Sequence, residues 1–218
     1  MAVKSERTRE MLASVALGMF REIGFEKTTM RAIANEAGVS VGNAYYYFAS
    51  KDDLVLELYE QVQNEHAAHA SHTIEGLEGF GDRLKAVLHA GVDVMAPYHG
   101  FGGDFISTAI RPSSPVNPFG DQSAPAREAS LALFHAVVKG ASPALPEKLR
   151  NDLPELLWLA YMGTTLFWVH DTSENQQRTR RLIDGLVPLI AKGISLAKIP
   201  GVNRIFDDVL NLARSIRA

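Results

Sequence analysis

The residues whose types could do chemistry cluster in one stretch, Thr28 to Lys51, TTMRAIANEAGVSVGNAYYYFASK. Asn43 can pair with an adenine edge, and Val41 can meet a thymine methyl. Gly42 between them lets a partner approach the backbone closely. Arg31 can reach a guanine or a phosphate, and Thr29, at a helix N-terminus, suits a phosphate. Lys51 falls in the first turn of the next helix, where the macrodipole disfavours a cation by a few tenths of a kcal/mol. A nearby phosphate would reverse that penalty. The alternatives are pairing with Asp52 or Asp53, or plain solvation. The chemistry on offer is non-covalent recognition of nucleic acid.

Catalytic and metal-binding constellations are not expected. The chain has no cysteine, which removes disulfides, thiol nucleophiles and cysteine-based zinc sites together. It has no G-x-S-x-G elbow, no H-E-x-x-H, and no paired catalytic carboxylates or nucleophile–base set. His66, His69 and His72 recur at intervals of three, but only Glu65 stands near them. A solvated helix end is therefore expected rather than a metal. His170-Asp171 lacks a second His/Asp set and reads as an orienting or capping pair. Gly100-Phe-Gly-Gly follows no strand, so it is not a phosphate loop. No enzyme activity, metal or cofactor is expected.

Two short helices must position the Thr28–Lys51 residues. Thr28 or Thr29 can cap the first, and Ile33, Ala34 and Ala37 give it a small apolar face. Gly38 stops it, Val39 plugs the turn, and Ser40 caps a second helix whose far end Tyr47 and Phe48 anchor. Ser50 with Asp53 opens a third helix through a capping box. Helix, glycine turn, helix is the geometry of a DNA-reading helix-turn-helix, with Ser40 to Tyr46 as the recognition helix. An ordinary αα-hairpin whose glycine and tyrosines merely pack is the alternative.

Phe20, Gly24, Thr28-Thr29, Ile33-Ala34, Ala37-Gly38-Val39-Ser40, Gly42, Tyr45, Tyr47-Phe48, Lys51 and Leu54 stand in unbroken register over the first quarter of the chain. In these residues the sequence resembles the tetracycline-repressor-like (TetR family) transcriptional regulators. The resemblance implies that Tyr45 and Tyr46 contact phosphate or thymine while Tyr47 and Phe48 pack inward. It also implies a C-terminal body that holds a small-molecule effector and pairs with a twofold mate. Family members often carry a larger aliphatic where Ala44 stands, so packing under the recognition helix is expected to differ.

Length and composition agree with this. The 218 residues, 46% hydrophobic and 22% charged, suit one domain or two small ones with ample core. Net charge is −3, yet residues 1–51 hold seven Lys/Arg and five Glu, net +2, leaving −5 for the rest. A mildly basic head on an acidic body suits a small DNA footprint. The opening MAVKSERTRE lacks an apolar signal core, and the longest nearly apolar run, Leu156 to Val169, falls short of the ~20 residues of a membrane span. A cytoplasmic location and no membrane partner are expected.

Taken in order, Leu12, Val15, Ala16, Met19, Phe20 and Ile23 form a helical stripe that should roof the helix-turn-helix. A long helix after Lys51, ending near His72 to Gly76, links head to body. A fifth helix is expected from Asp82 to Ala96, a loop over His99-Gly-Phe-Gly-Gly, and a short helix from Asp104 to Ile110. Pro112, Pro115, Pro118 and Pro125 imply an exposed or lid-like loop, followed by a helix from Ala126 to Lys139. The run from Leu156 to Val169 is apolar on all sides, so it requires a partner as well as its own core. A helix from Asn175 to Lys198, kinked at Pro188, and a last one over Val202 to Ile216 complete an all-α fold.

The domains are set at 1–50 for the helix-turn-helix and 51–218 for effector binding and dimerisation. If aromatics of the body line a pocket, Met95, Phe105, Trp158, Tyr161, Thr165 and Trp168 are its candidates, with His99 and His135 as further polar contacts. The expected protein is a homodimeric repressor that leaves a palindromic DNA operator when a small apolar or aromatic effector binds. A helical enzyme or ligand carrier, and a constitutive DNA binder with a filled body, are the competing readings.

Overall fold

The computed structural model describes residues 2–196 and Asp208. Among them are nine α-helices and no strand: α1 Ala2–Ile23, α2 Met30–Glu36, α3 Val41–Tyr47, α4 Lys51–Thr73, α5 Phe80–Met95, α6 His99–Ala109, α7 Ala124–Lys139, α8 Glu147–Val169 and α9 Gln177–Leu196. The helix expected over Val202 to Ile216 lies, apart from Asp208, outside the described residues. Two compact units divide the chain, Met1–Asn64 with Pro97–Arg127, and Glu65–Ala96 with Glu128–Ala218.

In the first unit, α1 buries Leu12, Ala16 and Phe20, one residue per turn, and packs on α2. Ile23, at the end of the expected stripe, is instead exposed. Gly24 ends α1 at φ +86°, a left-handed conformation that a Cβ disfavours. Phe20 meets the Phe25 ring beyond that turn at a tilt, with centroids 5.1 Å apart. Ile33, Ala34, Ala44, Phe48, Leu54 and Val55 complete the head's core.

Residues 99–103, expected as a loop, are the first turns of α6. Each interior glycine costs a helix about 1 kcal/mol relative to alanine. Burial of Phe101 against Tyr98 and Phe105, both edge-on at 6.2 and 6.4 Å, offsets that cost. The proline segment after α6 is exposed at Pro112, Pro115 and Phe119, as expected. It is folded into successive turns by the Ser114, Asn117 and Gly120 N–H groups, which donate to the Arg111, Ser114 and Asn117 carbonyls. Val116 is fully buried, and its carbonyl accepts from the Tyr59 hydroxyl at 3.3 Å. Arg127 closes the segment's far end by donating to the Pro118 and Gly120 carbonyls at 2.8 and 3.0 Å.

In the second unit, α5 packs along α9 and α8. α8 begins at Glu147, about two turns before the apolar run that marks it in the sequence. Charged residues and Pro154 mask that start, but Leu145, Leu149, Leu153 and Leu157 recur every fourth residue and are all buried. Asp171 joins α8 to α9 as a cap. One carboxylate oxygen accepts from the Ser173 N–H and hydroxyl at 3.0 and 2.6 Å, the other from the Thr179 N–H and hydroxyl, both at 2.8 Å. α9 runs unbroken through Pro188, which faces solvent.

Candidate nucleic-acid interface

Local capping sets the angle between α2 and α3. Thr29 caps α2, its hydroxyl accepting from the Ala32 N–H at 3.1 Å. Thr28 is buried and donates to the Gly24 carbonyl at 2.8 Å, so it braces the preceding turn instead. Gly38, at φ +67°, donates to the Asn35 carbonyl at 3.1 Å, and Val39 donates to that of Ala34 at 3.0 Å. This pair of bonds is a Schellman stop, which requires a residue free to adopt positive φ. Ser40 then caps α3, accepting from the Asn43 N–H at 3.1 Å.

The cap leaves α3 with one buried and one open face. Ala44 and Phe48 are sealed in the core, and the small Ala44 leaves α3 room to sit close to it. Gly42 and Asn43 are exposed, Tyr45 is 51% exposed, and Tyr46 is 78% exposed. Val41 is half-buried beside them. Tyr47 meets Tyr46 edge-on at 5.1 Å. Arg31 stands exposed on α2. Two open tyrosines, an asparagine and a glycine on one helical face form a surface that can take a base edge or a phosphate.

Lys51 has a partner other than the phosphate, Asp52, Asp53 or solvent weighed from the sequence. Its ammonium donates to the Phe25 carbonyl at 2.7 Å and lies 4.3 Å from the Phe25 ring centroid. It is satisfied within the head, and the dipole penalty is met by a backbone carbonyl rather than by Asp52 or Asp53. Behind it, Ser50 and Asp53 form the expected capping box, each accepting from the other's N–H at 3.1 and 3.3 Å. Arg9, on α1, is tied to the end of α3 by contacts that no spacing in the sequence announces. Its guanidinium donates to the Tyr47 carbonyl at 3.3 Å, lies 4.6 Å from the Phe48 ring centroid and bridges to Glu57. No local spacing rule links residues 9, 47, 48 and 57.

The residues expected to line an effector pocket are divided between the two units. His99 and Phe105 belong to the first, where Phe105 meets the Tyr59 ring edge-on at 4.9 Å. Met95, Trp158, Tyr161 and Trp168 are buried in the second, Thr165 is half-buried there, and His135 is exposed. Tyr161 is the hub of that group, with its hydroxyl 3.7 Å from the Met95 sulfur and its ring against Phe134 and His66. His66 is fully buried rather than part of a solvated helix end. Its Nε2 bonds the Val87 carbonyl at 2.8 Å, which requires a proton on Nε2 and leaves Nδ1 a bare acceptor in the neutral ring. Burial pulls this imidazole's pKa down, the Val87 bond opposes that, and His69 adds to the lowering. Nδ1 of His66 and Oγ1 of Thr165 are buried without a hydrogen-bond partner. Among the described residues there is no group of three or more potential metal ligands, and no helix long and apolar enough to cross a membrane.

Two family models match the chain. One, described as bacterial regulatory proteins, tetR family, covers residues 12–58, and the other, tetracyclin repressor-like, C-terminal domain, covers 83–212. The chain is 37% identical over 79 residues to the HTH-type transcriptional regulator HbdR of Aromatoleum sp. (strain CIB), covering 36% of this chain and 34% of that protein. It is 31% identical over 91 residues to the HTH-type transcriptional repressor KstR2 of Mycobacterium tuberculosis, covering 42% and 46%. The matched stretches thus span less than half the length of these relatives. The TetR transcriptional regulator from Nitrosomonas europaea superposes with a TM-score of 0.63 at 19% identity, over 83% of this chain and 96% of that one. FadR from Bacillus subtilis, in complex with stearoyl-CoA, does so with 0.62 at 14% identity, over 82% and 96%.

Proposed function

This chain belongs to the tetR family of bacterial regulatory proteins, a family of transcriptional regulators and not of enzymes, and on that premise we propose that it is a ligand-responsive repressor. Residues 1–50 are the DNA-binding domain and residues 51–218 the effector-binding and dimerisation domain. The observation that carries the reading is the two-faced recognition helix, with Ala44 and Phe48 sealed and Asn43, Tyr45 and Tyr46 open. Ser40, Val41, Gly42 and Asn43 meet base edges in this reading. Thr29, Arg31, Tyr45, Tyr46 and Lys51 meet the backbone around them.

The protein acts as a homodimer on a palindromic operator in the cytoplasm. Support comes from the apolar side chains left open on α8 and α9. Leu166 and Phe167 are each 42% exposed, and Leu182, Leu189 and Leu196 are exposed at intervals of seven on α9. A stripe of that period fits a second helix laid along it. Two heads would then address half-sites about 34–36 Å apart.

The effector is a small apolar or aromatic molecule received by the body, where Met95, Trp158, Tyr161, Thr165 and Trp168 offer apolar walls and polar atoms. The FadR proteins of Bacillus subtilis and Thermus thermophilus, which share its fold, were captured with stearoyl-CoA and lauroyl-CoA. Such a ligand releases DNA only by its difference in affinity between the two states of the protein. The test is selection of duplexes from a random library on the full chain, followed by footprinting of the DNA beside its own gene. Enrichment of a palindrome that an apolar effector displaces supports the reading, and absence of any enriched duplex rejects it.

A further inference from the structure

Three parts of the head meet at one guanidinium. Arg9 on α1 donates through Nη1 to the Tyr47 carbonyl at 3.3 Å. Tyr47 is the last residue of α3, and helix-end carbonyls have no partner within the helix. The same guanidinium lies 4.6 Å from the ring centroid of Phe48, the residue that plugs the end of α3 into the core. Its Nε and Nη2 both donate to one carboxylate oxygen of Glu57 on α4, the former at 3.1 Å. A planar fork with five donors can hold these three directions together, whereas a lysine ammonium offers a single point.

The side chains of Arg9 and Glu57 are 44% and 29% exposed. A pair so open to solvent contributes little to stability. What it supplies is geometry, because it ties the trailing end of the recognition helix to a fixed point on α4. Tyr46, the most open tyrosine of the head, directly precedes the carbonyl that Arg9 holds. A small tilt about Ala44 would move Asn43 and Tyr46 in opposite directions across a groove.

We propose that Arg9 is a positioning residue for base reading: it sets the pitch of α3 through the Tyr47 carbonyl and Phe48, and takes its own position from Glu57 on α4. The inference rests on the DNA-reading role proposed for α3. It assigns Arg9 no contact with phosphate, and it makes Glu57 the residue through which α4 acts on the recognition helix.

The experiment uses the full chain and a duplex selected on the wild-type protein from a random library, with random-sequence duplex as the comparison. Affinities are measured across a salt series, alongside thermal melting. Arg9→Met keeps an unbranched apolar side chain and removes the bonds and the charge, and Arg9→Lys keeps the charge but removes the fork. Either should lose at least tenfold on the selected duplex and less than twofold on random DNA, with an unchanged salt slope. Glu57→Gln should lose less in the same direction, and the Arg9→Met, Glu57→Gln double variant should be no worse than Arg9→Met alone. Equal losses on both duplexes with a slope smaller by about one would make Arg9 a phosphate contact and overturn the proposal. A lowered melting temperature with selected-duplex affinity intact would make it merely structural and overturn it too. If Arg9→Met fails to fold, Arg9→Lys decides by the same ratio. A wild-type protein that enriches no duplex overturns this proposal together with the DNA-reading role.

Discussion

The Lys51 ammonium reaches back across the head to the Phe25 carbonyl, 2.7 Å away, while lying over the ring of the same residue. The first turn of α4 is thereby pinned to the turn between α1 and α2. Charge-assisted bonds are worth about 1.5–3 kcal/mol when well shielded, and this one is only half-buried. Lys51→Ala should cost about 1 kcal/mol, read as a lowered melting temperature of the whole chain. If the ammonium also meets DNA, the salt slope of binding falls by about one in the same variant. Melting unchanged from wild type would remove the structural half of this assignment.

Asn43 and Gly42 separate reading from folding. Asn43→Ala removes an exposed amide while leaving its backbone N–H on the Ser40 hydroxyl, so α3 keeps its cap. Operator affinity should drop by about 1–3 kcal/mol with random-duplex affinity nearly unchanged. Gly42→Ala meets nothing within 4 Å and should fold at least as well as wild type. Binding measured by anisotropy should nevertheless weaken, because the new methyl stands where a groove must approach.

Gly163 on α8 is exposed, and a Cβ there would meet nothing within 4 Å of its own protomer. Gly163→Glu should therefore leave the protomer folded and act only on an interface. Light scattering at micromolar concentration should report a wild-type dimer and a variant monomer that no longer binds a palindrome. A wild-type monomer removes the dimer from the scheme.

His66 is held neutral by burial, with its folded pKa below the usual histidine value. The unfolded chain therefore binds the proton more readily. The stability His66 contributes is complete above about pH 6.5 and is lost as pH falls below it. Wild-type melting temperature should decline between pH 7 and 5, and His66→Gln, which can still donate to the Val87 carbonyl, should flatten that decline. A variant with the wild-type slope would place the titrating group elsewhere.

Burial alone would raise the Asp171 carboxyl, but the bonds from Ser173 and Thr179 outweigh it and hold the group well below the usual carboxylate range. Its contribution is complete above about pH 3.9 and disappears as pH falls below that value. Asp171→Ala should cost about 2–3 kcal/mol at neutral pH by leaving buried donors unpaired. Asp171→Asn should cost less and should weaken the acid dependence of unfolding, followed by circular dichroism between pH 5 and 2. Equal acid midpoints for Asp171→Asn and wild type would assign that dependence to other carboxylates.

The helix-turn-helix was legible because its determinants are local. Thr29, Ser40 and the Ser50–Asp53 box bond backbone groups three residues away, and Gly24 and Gly38 mark their stops by the positive φ they adopt. Such bonds depend on residue type and spacing alone, and both are present in the sequence. Burial is decided by what arrives from elsewhere in the chain. The glycines of 99–103 read as a loop until Phe101 has Tyr98 and Phe105 to pack against, and that burial makes them helix. His66 resembles its neighbours His69 and His72 in the sequence, and it is Val87 and Tyr161, from two other helices, that set it apart by packing against it. Arg9 is one of several charged residues in a polar N-terminus. The end of α3 and the side of α4 become its neighbours only when the head closes, since the bonds that define it span separations of 38 and 48 residues.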